Sequence, residues 1–180
     1  MNKATNLIGT TLILGGARSG KSIYAENLVL SAKLQPVYIA TGEARDDEMQ
    51  DRITHHKERR GTNWLTIEEP LDLCEVLENN AAATNAILID CLTLWLSNLM
   101  MAGKNIDTEI SALTALIPDL AGPVVFVSNE VGMGLVPETT LGRDFRDHQG
   151  RLNQRIAQVV DTVSFIAAGY PLSLKTTQKD

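Results

Sequence analysis

At 180 residues, with 44% hydrophobic and 21% charged residues, the chain has the make-up of one soluble globular domain spanning 1–180, large enough to bury a core without disulfides or structural metal. Its net charge of −6 argues against a nucleic-acid partner, since the compact basic cluster from Lys57 to Arg60 is too short to form a binding stripe. No apolar run approaches the roughly 18 residues of a membrane span. Cys74 and Cys91 lack C-x-x-C spacing and lie in apolar patterns, which reads as buried thiols of a reducing, cytoplasmic compartment.

The N-terminal apolar run leads straight into a loop without a small-residue cleavage site, so it reads as a first strand over Thr11 to Leu14 and not as a signal peptide. That loop is Gly15-Gly16-Ala17-Arg18-Ser19-Gly20-Lys21-Ser22, a match to G-x-x-x-x-G-K-[ST]. Ala25, Leu28, Val29 and Ala32 then fall at i, i+3, i+4 and i+7, which predicts a helix beginning near Lys21. Strand, glycine-rich loop and helix together form a phosphate site. Glycines let backbone N–H groups turn toward phosphate oxygens, and the helix N-terminus adds about half a positive charge. Lys21 is expected to reach the β and γ phosphates and Ser22 to ligate Mg²⁺.

Pro36 is read as a breaker before a second strand, Val37 to Ala40, closed by Thr41-Gly42. Thr41, Gly42 and Glu43 sit where open α/β sheets bind ligands, although on spacing alone they fit a plain turn equally well. Asp46 to Arg60 reads as a polar helix with acidic residues first and basic residues last. It carries His55 and His56, which on pattern alone suit a solvated face better than a catalytic centre. Asp51 lies one turn before His55, where a carboxylate can orient an imidazole.

Trp64 to Glu68 alternates as a strand, with Glu68 at its end either near the site or as an ordinary surface carboxylate, and Pro70 is expected in the first turn of a helix bearing Leu73 and Leu77. Ala86 to Asp90 is a buried strand ending in an acid, the form of a Walker B segment in which the carboxylate holds Mg²⁺ directly or through water. Leu92, Trp95, Leu96 and Leu99 mark the next helix, with Trp95 as core. Ile106 to Ile117 predicts another, stopped near Pro118. Val124 to Ser128 reads as a buried parallel strand leading into the polar loop Asn129 to Gly134. A long helix follows from Leu141, with His148 packed or at an interface. Then come a strand from Thr162 to Ala167, a turn at Gly169 to Pro171 and an edge strand from Leu172 to Lys175. Alternating strands and helices give a doubly wound, mainly parallel α/β sheet of the P-loop NTPase class.

GGARSGKS, YIATGEARDDEM with RITHHKERR, the Asp90-Cys91-Leu92-Thr93 strand end, SNEVGMGLVPE and RDFRDHQGRLNQRIA, in that order, resemble the bifunctional adenosylcobinamide kinase/adenosylcobinamide-phosphate guanylyltransferases. The resemblance implies two reactions in assembly of the coenzyme B12 nucleotide loop. The γ-phosphoryl of ATP or GTP passes to adenosylcobinamide. GMP from GTP then passes through a histidine to adenosylcobinamide phosphate, releasing pyrophosphate. By position the guanylylated histidine is His55. The resemblance further implies nucleotide binding by His56, Lys57, Glu58, Arg59 and Glu68 and a homotrimer. Two rivals stand beside it. A single-activity metabolite kinase would need no covalent histidine, whereas a guanine-specific switch would be expected to carry N-K-x-D, a tetrad missing from this sequence.

Overall fold

A computed structural model describes residues 7, 9–43 and 63–176. The helix expected over Asp46 to Arg60, with His55, His56, Lys57, Glu58 and Arg59, lies outside the described residues. Within them, seven strands form one sheet in the order β3-β2-β4-β5-β1-β6-β7. These are β1 (Thr10–Gly15), β2 (Gln35–Ala40), β3 (Leu65–Glu68), β4 (Asn85–Asp90), β5 (Val124–Asn129), β6 (Thr162–Ala167) and β7 (Tyr170–Thr176). Every pairing is parallel except that of β6 with β7. The carboxyl ends of β1 to β6 therefore lie along one edge, which is where a parallel sheet receives its ligands.

The helices are α1 (Lys21–Ser31), α2 (Leu73–Asn80), α3 (Leu92–Met101), α4 (Ile106–Leu116) and α5 (Thr140–Val159), with a 3₁₀ turn at Ile117–Asp119 where Pro118 ends α4. They cover both faces unequally. On one face Ala25 and Val29 of α1 pack on Ile13, Tyr38, Leu88, Val125 and Val127. On the other, Trp95, Leu77, Ile110 and Ile156 from α2 to α5 close over Leu12, Ile39, Ile89 and Phe126. The alternation i, i+2 along each strand thus assigns its side chains to one layer or the other. Trp95 is core, as its spacing predicts, and its indole N–H donates to the Leu71 carbonyl at 2.8 Å.

Several local expectations need correction. Pro36 lies inside β2 rather than ahead of it. The Gln35 N–H donates to Thr84 on the β4 side, so the next nitrogen points toward β3, which begins only opposite Val37. A missing donor is tolerated there. Pro70 precedes α2 by three residues, in a turn closed by the Glu69 carboxylate, which accepts from the Leu71 and Asp72 N–H groups at 2.9 and 2.8 Å. The tight turn is at Ala168-Gly169, while Tyr170 and Pro171 already belong to β7, an edge strand. Cys91 is buried but Cys74 only half-buried, and both are free thiols. His148 is also half-buried, its Nδ1 lying 3.0 Å from an Arg151 guanidinium nitrogen.

Candidate active site

The Gly15 to Ser22 loop joins β1 to α1 at the carboxyl edge. It needs its glycines for different reasons. A Cβ on Gly15 would stand 2.6 Å from both the Ile166 carbonyl and Ser19 Oγ, so no larger residue fits under the loop. Gly20 takes φ 95°, in the left-handed region that favours glycine, and Arg18 is also left-handed at φ 56°. The turn is fastened from outside by the Gly169 N–H donating to the Ser19 carbonyl at 2.8 Å. Gly20 supplies no side-chain cap, so α1 opens onto the loop without a capping side chain at its N-terminus. Ser19 Oγ is a buried hydroxyl with no partner among the described residues. The Lys21 side chain, itself buried, folds back so that its Nζ donates to the Gly16 carbonyl at 3.0 Å. A glycine-bearing turn, a helix N-terminus and an ammonium turned onto the loop are parts that suit an anion.

Asp90 ends β4, two strands from β1 because β5 intervenes. Leu88, two residues earlier, packs in the α1 layer, so alternation turns Asp90 toward the same layer. Ser22 opens α1 on that face. A hydroxyl and a carboxylate are hard oxygen donors, and no cluster of three or more His, Cys, Asp or Glu occurs among the described residues. That donor set fits Mg²⁺, which is usually held by one or two carboxylates together with substrate phosphates and waters.

Thr41 is fully buried and its hydroxyl bridges the chain after Asp90, donating to the Cys91 carbonyl at 2.7 Å and accepting from the Cys91 N–H at 2.8 Å. The Asp90–Cys91 peptide is cis. Asn98 of α3 donates to the Thr41 carbonyl at 2.7 Å and the Pro70 carbonyl at 3.1 Å, tying the ends of β2 and β4 to the turn before α2. Burial, and then the Asp90 charge beside it, pushes the Cys91 thiol up to about 11, so it is uncharged near neutrality. Gly42 and Glu43 continue along the edge, Gly42 half-buried and Glu43 exposed. Glu68 is exposed at the end of β3, four strands from β1, or about 19 Å at the usual strand spacing.

The arrangement brings Gly15 to Ser22, Thr41 to Glu43, Glu68 and Asp90 to one edge of the sheet. A family model described as CobU, cobinamide kinase / cobinamide phosphate guanyltransferase, matches residues 11–174. The chain belongs to this family. The bifunctional adenosylcobalamin biosynthesis protein CobP of Pseudomonas aeruginosa is 46% identical over 166 residues, covering 91% of this chain and 96% of that protein. Its counterpart CobU of Salmonella typhimurium is 42% identical over 179 residues, covering 91% and 98%. Similar solved folds include a Pyrococcus horikoshii OT3 protein with 11% identity, a TM-score of 0.59 and coverage of 98% of this chain and 90% of that one. An ATPase of a bacterial type III secretion system has 11% identity, a TM-score of 0.57 and coverage of 93% and 57%. At such identities these two share the fold alone. The cobinamide kinase / guanyltransferase family is therefore built here on a P-loop sheet.

Asn98, Thr93 and Asn153 hold this edge by hydrogen bonds, a role that no motif in the sequence assigns to them. Each is a polar residue interrupting an apolar helical pattern, the one sequence signal of a buried hydrogen-bonding role.

Proposed function

We propose that this chain phosphorylates adenosylcobinamide with ATP or GTP and then transfers GMP from GTP, through a histidine, to the resulting phosphate, giving adenosyl-GDP-cobinamide and pyrophosphate. The observation that carries this reading is the Gly15 to Ser22 cradle, with Lys21 folded onto it and Asp90 turned toward the same layer, in a chain of the cobinamide kinase / guanyltransferase family.

In the kinase step the substrate hydroxyl oxygen bonds to the γ-phosphorus as the bond from that phosphorus to the β–γ bridging oxygen breaks, the nucleoside diphosphate leaves and the hydroxyl proton passes to solvent. The loop amides and Lys21 hold the phosphates in line and neutralise charge on the transferring group. In the second step an imidazole nitrogen of His55 bonds to the α-phosphorus while pyrophosphate leaves. The substrate phosphate then displaces the imidazole. Neutral imidazole is nucleophilic near pH 7. Ser22 and Asp90 would hold Mg²⁺, which when bound supplies further charge neutralisation at the departing phosphates. The span from β1 to β3 is of the order of an extended nucleoside triphosphate, which supports Glu68 as an acceptor for guanine or ribose while Lys21 holds the phosphates. Thr41, Gly42 and Glu43 lie between these ends, and His56, Lys57, Glu58 and Arg59 bind the same nucleotide in this reading.

The homotrimer is what the family resemblance implies, and the edge strand β7, which exposes Tyr170, Leu172 and Leu174, offers a surface for association. Light scattering should give three times the 19.6 kDa chain mass, and a monomer would overturn that assignment. The two free thiols support a cytoplasmic setting. Among the described residues, no helix is long and apolar enough to cross a membrane.

The deciding experiment is incubation with α-labelled GTP. Acid-labile, alkali-stable label on the wild-type protein, lost in His55→Ala and retained in His56→Ala, is the expected result. Phosphorylation of cobinamide with no protein-bound label would leave only the kinase, and an adduct on His55→Ala would move the nucleophile elsewhere.

A further inference from the structure

Asn129, at the carboxyl end of β5, occupies a special place in the sheet. β5 lies between the strand that feeds the phosphate loop and the strand that ends in Asp90. Asn129, the last residue of β5, pairs with Gly15, while Asp90 pairs with Val127. Val125 and Val127 pack in the α1 layer, whereas Ser128 turns the opposite way, onto Asn153 of α5 at 2.6 Å. Alternation therefore aims the half-buried Asn129 side chain toward the α1 layer, between the phosphate loop and Asp90.

The backbone of Asn129 is clamped on both sides. Its N–H donates to Thr93 Oγ1 at 2.8 Å and its carbonyl accepts from Asn153 Nδ2 at 3.1 Å. The following N–H, of Glu130, donates to the Gly15 carbonyl at 3.0 Å, so this strand end and the start of the loop move together. With the main chain so held, the Asn129 carboxamide makes no hydrogen bond to any described residue. A rigidly mounted, unconsumed amide beside an anion cradle is a preorganised donor for a phosphate oxygen.

We propose that the Asn129 side-chain NH₂ contacts the terminal phosphoryl group of the nucleotide and lets the site tell a triphosphate from a diphosphate. The inference rests on the phosphate-loop reading. A hydrogen bond to a phosphate oxygen is charge-assisted, so its loss weakens binding by about tenfold or more. Asn129→Ala should therefore weaken a non-hydrolysable ATP analogue by about tenfold while ADP affinity stays within about twofold. Asn129→Asp keeps the shape but replaces the donor with a second carboxylate near Asp90, and should weaken the analogue further. The kinase kcat should fall in both variants.

Calorimetric titration of the full-length wild type, the two Asn129 variants and Lys21→Ala reads these affinities, and a turnover assay reads kcat. Equal weakening of ADP and the triphosphate analogue, or no weakening of either, overturns the proposal. Analogue affinity retained in Asn129→Asp also overturns it, since the group would then face the metal ion rather than the phosphate. Both side-chain clamps hold the Asn129 backbone, so the variants should melt within about 2 °C of wild type. If Asn129→Ala does not fold, the isosteric Asn129→Asp carries the test alone. ADP binding that is indifferent to Lys21→Ala would instead sink the phosphate-loop reading.

Discussion

The two faces of the sheet treat their polar groups in opposite ways at the carboxyl edge. On the face covered by α3 and α5, polar side chains bond to one another and to strand ends. Gln149 donates to Ser128 Oγ and Asn153 Oδ1 at 2.9 and 3.0 Å, and Asn98, Thr93 and Asn153 each grip a backbone group of β2 or β5 or the residue beyond. On the face covered by α1, Lys21, Ser22, Asp90 and Asn129 gather around a loop that no larger first residue could underlie. The first face is a framework and the second is left able to receive a ligand. Such a division suits phosphoryl transfer, in which the protein contributes positioning and electrostatics to a reaction carried by the nucleotide.

The largest effect expected from breaking this contrast is on the open face. Lys21→Ala should lower both phosphoryl and guanylyl transfer by about a thousandfold with little change in melting temperature, because the ammonium serves charge on the substrate. Retention of full kinase turnover would show that the two faces do not divide as described. On the framework face, Trp95→Ala should cost about 3–5 kcal/mol in urea unfolding, since the indole is fully buried and its N–H is bonded. A loss under about 1 kcal/mol would mean that the α3 layer is not core.

Asn153→Leu sharpens the comparison, because it removes a partner from Ser128, Gln149 and the Asn129 carbonyl at once. It should destabilise the fold by about 2 kcal/mol and also reduce kinase kcat, as the Asn129 strand end loses a clamp. Unchanged kcat with full destabilisation would uncouple the framework from the site. The smallest effect concerns Cys91. Its neutral thiol is favoured by folding, so this contribution is complete below its ordinary value of 9.0 and is lost as pH rises through about 11. The stability gap between wild type and Cys91→Ala should narrow across that window, and a gap flat with pH would show that the thiolate is not excluded.

Much of this organisation is legible along the chain because it is local. The Gly15 to Ser22 motif, the helix stripe from Ala25, and the apolar runs ending at Asp90 and Asn129 depend on neighbours within one or two turns. The failures share a different cause. Pro36 and Pro171 are strand residues only because no partner strand requires a hydrogen from their nitrogens, and a sheet edge is not a local property. Cys74 lies in an apolar pattern on a helix that buries only part of its circumference, so it ends half-exposed.

From sequence alone come the phosphate loop, the alternation of strands and helices, the family resemblance and the chemical types that the reactions require. Folding decided the strand order, above all the insertion of β5 between β1 and β4, and with it the position of Asn129 between cradle and carboxylate. The reason is that parallel strands are paired by crossovers between distant segments. A motif fixes what a residue is able to do, whereas only the packed sheet determines which residue stands beside it.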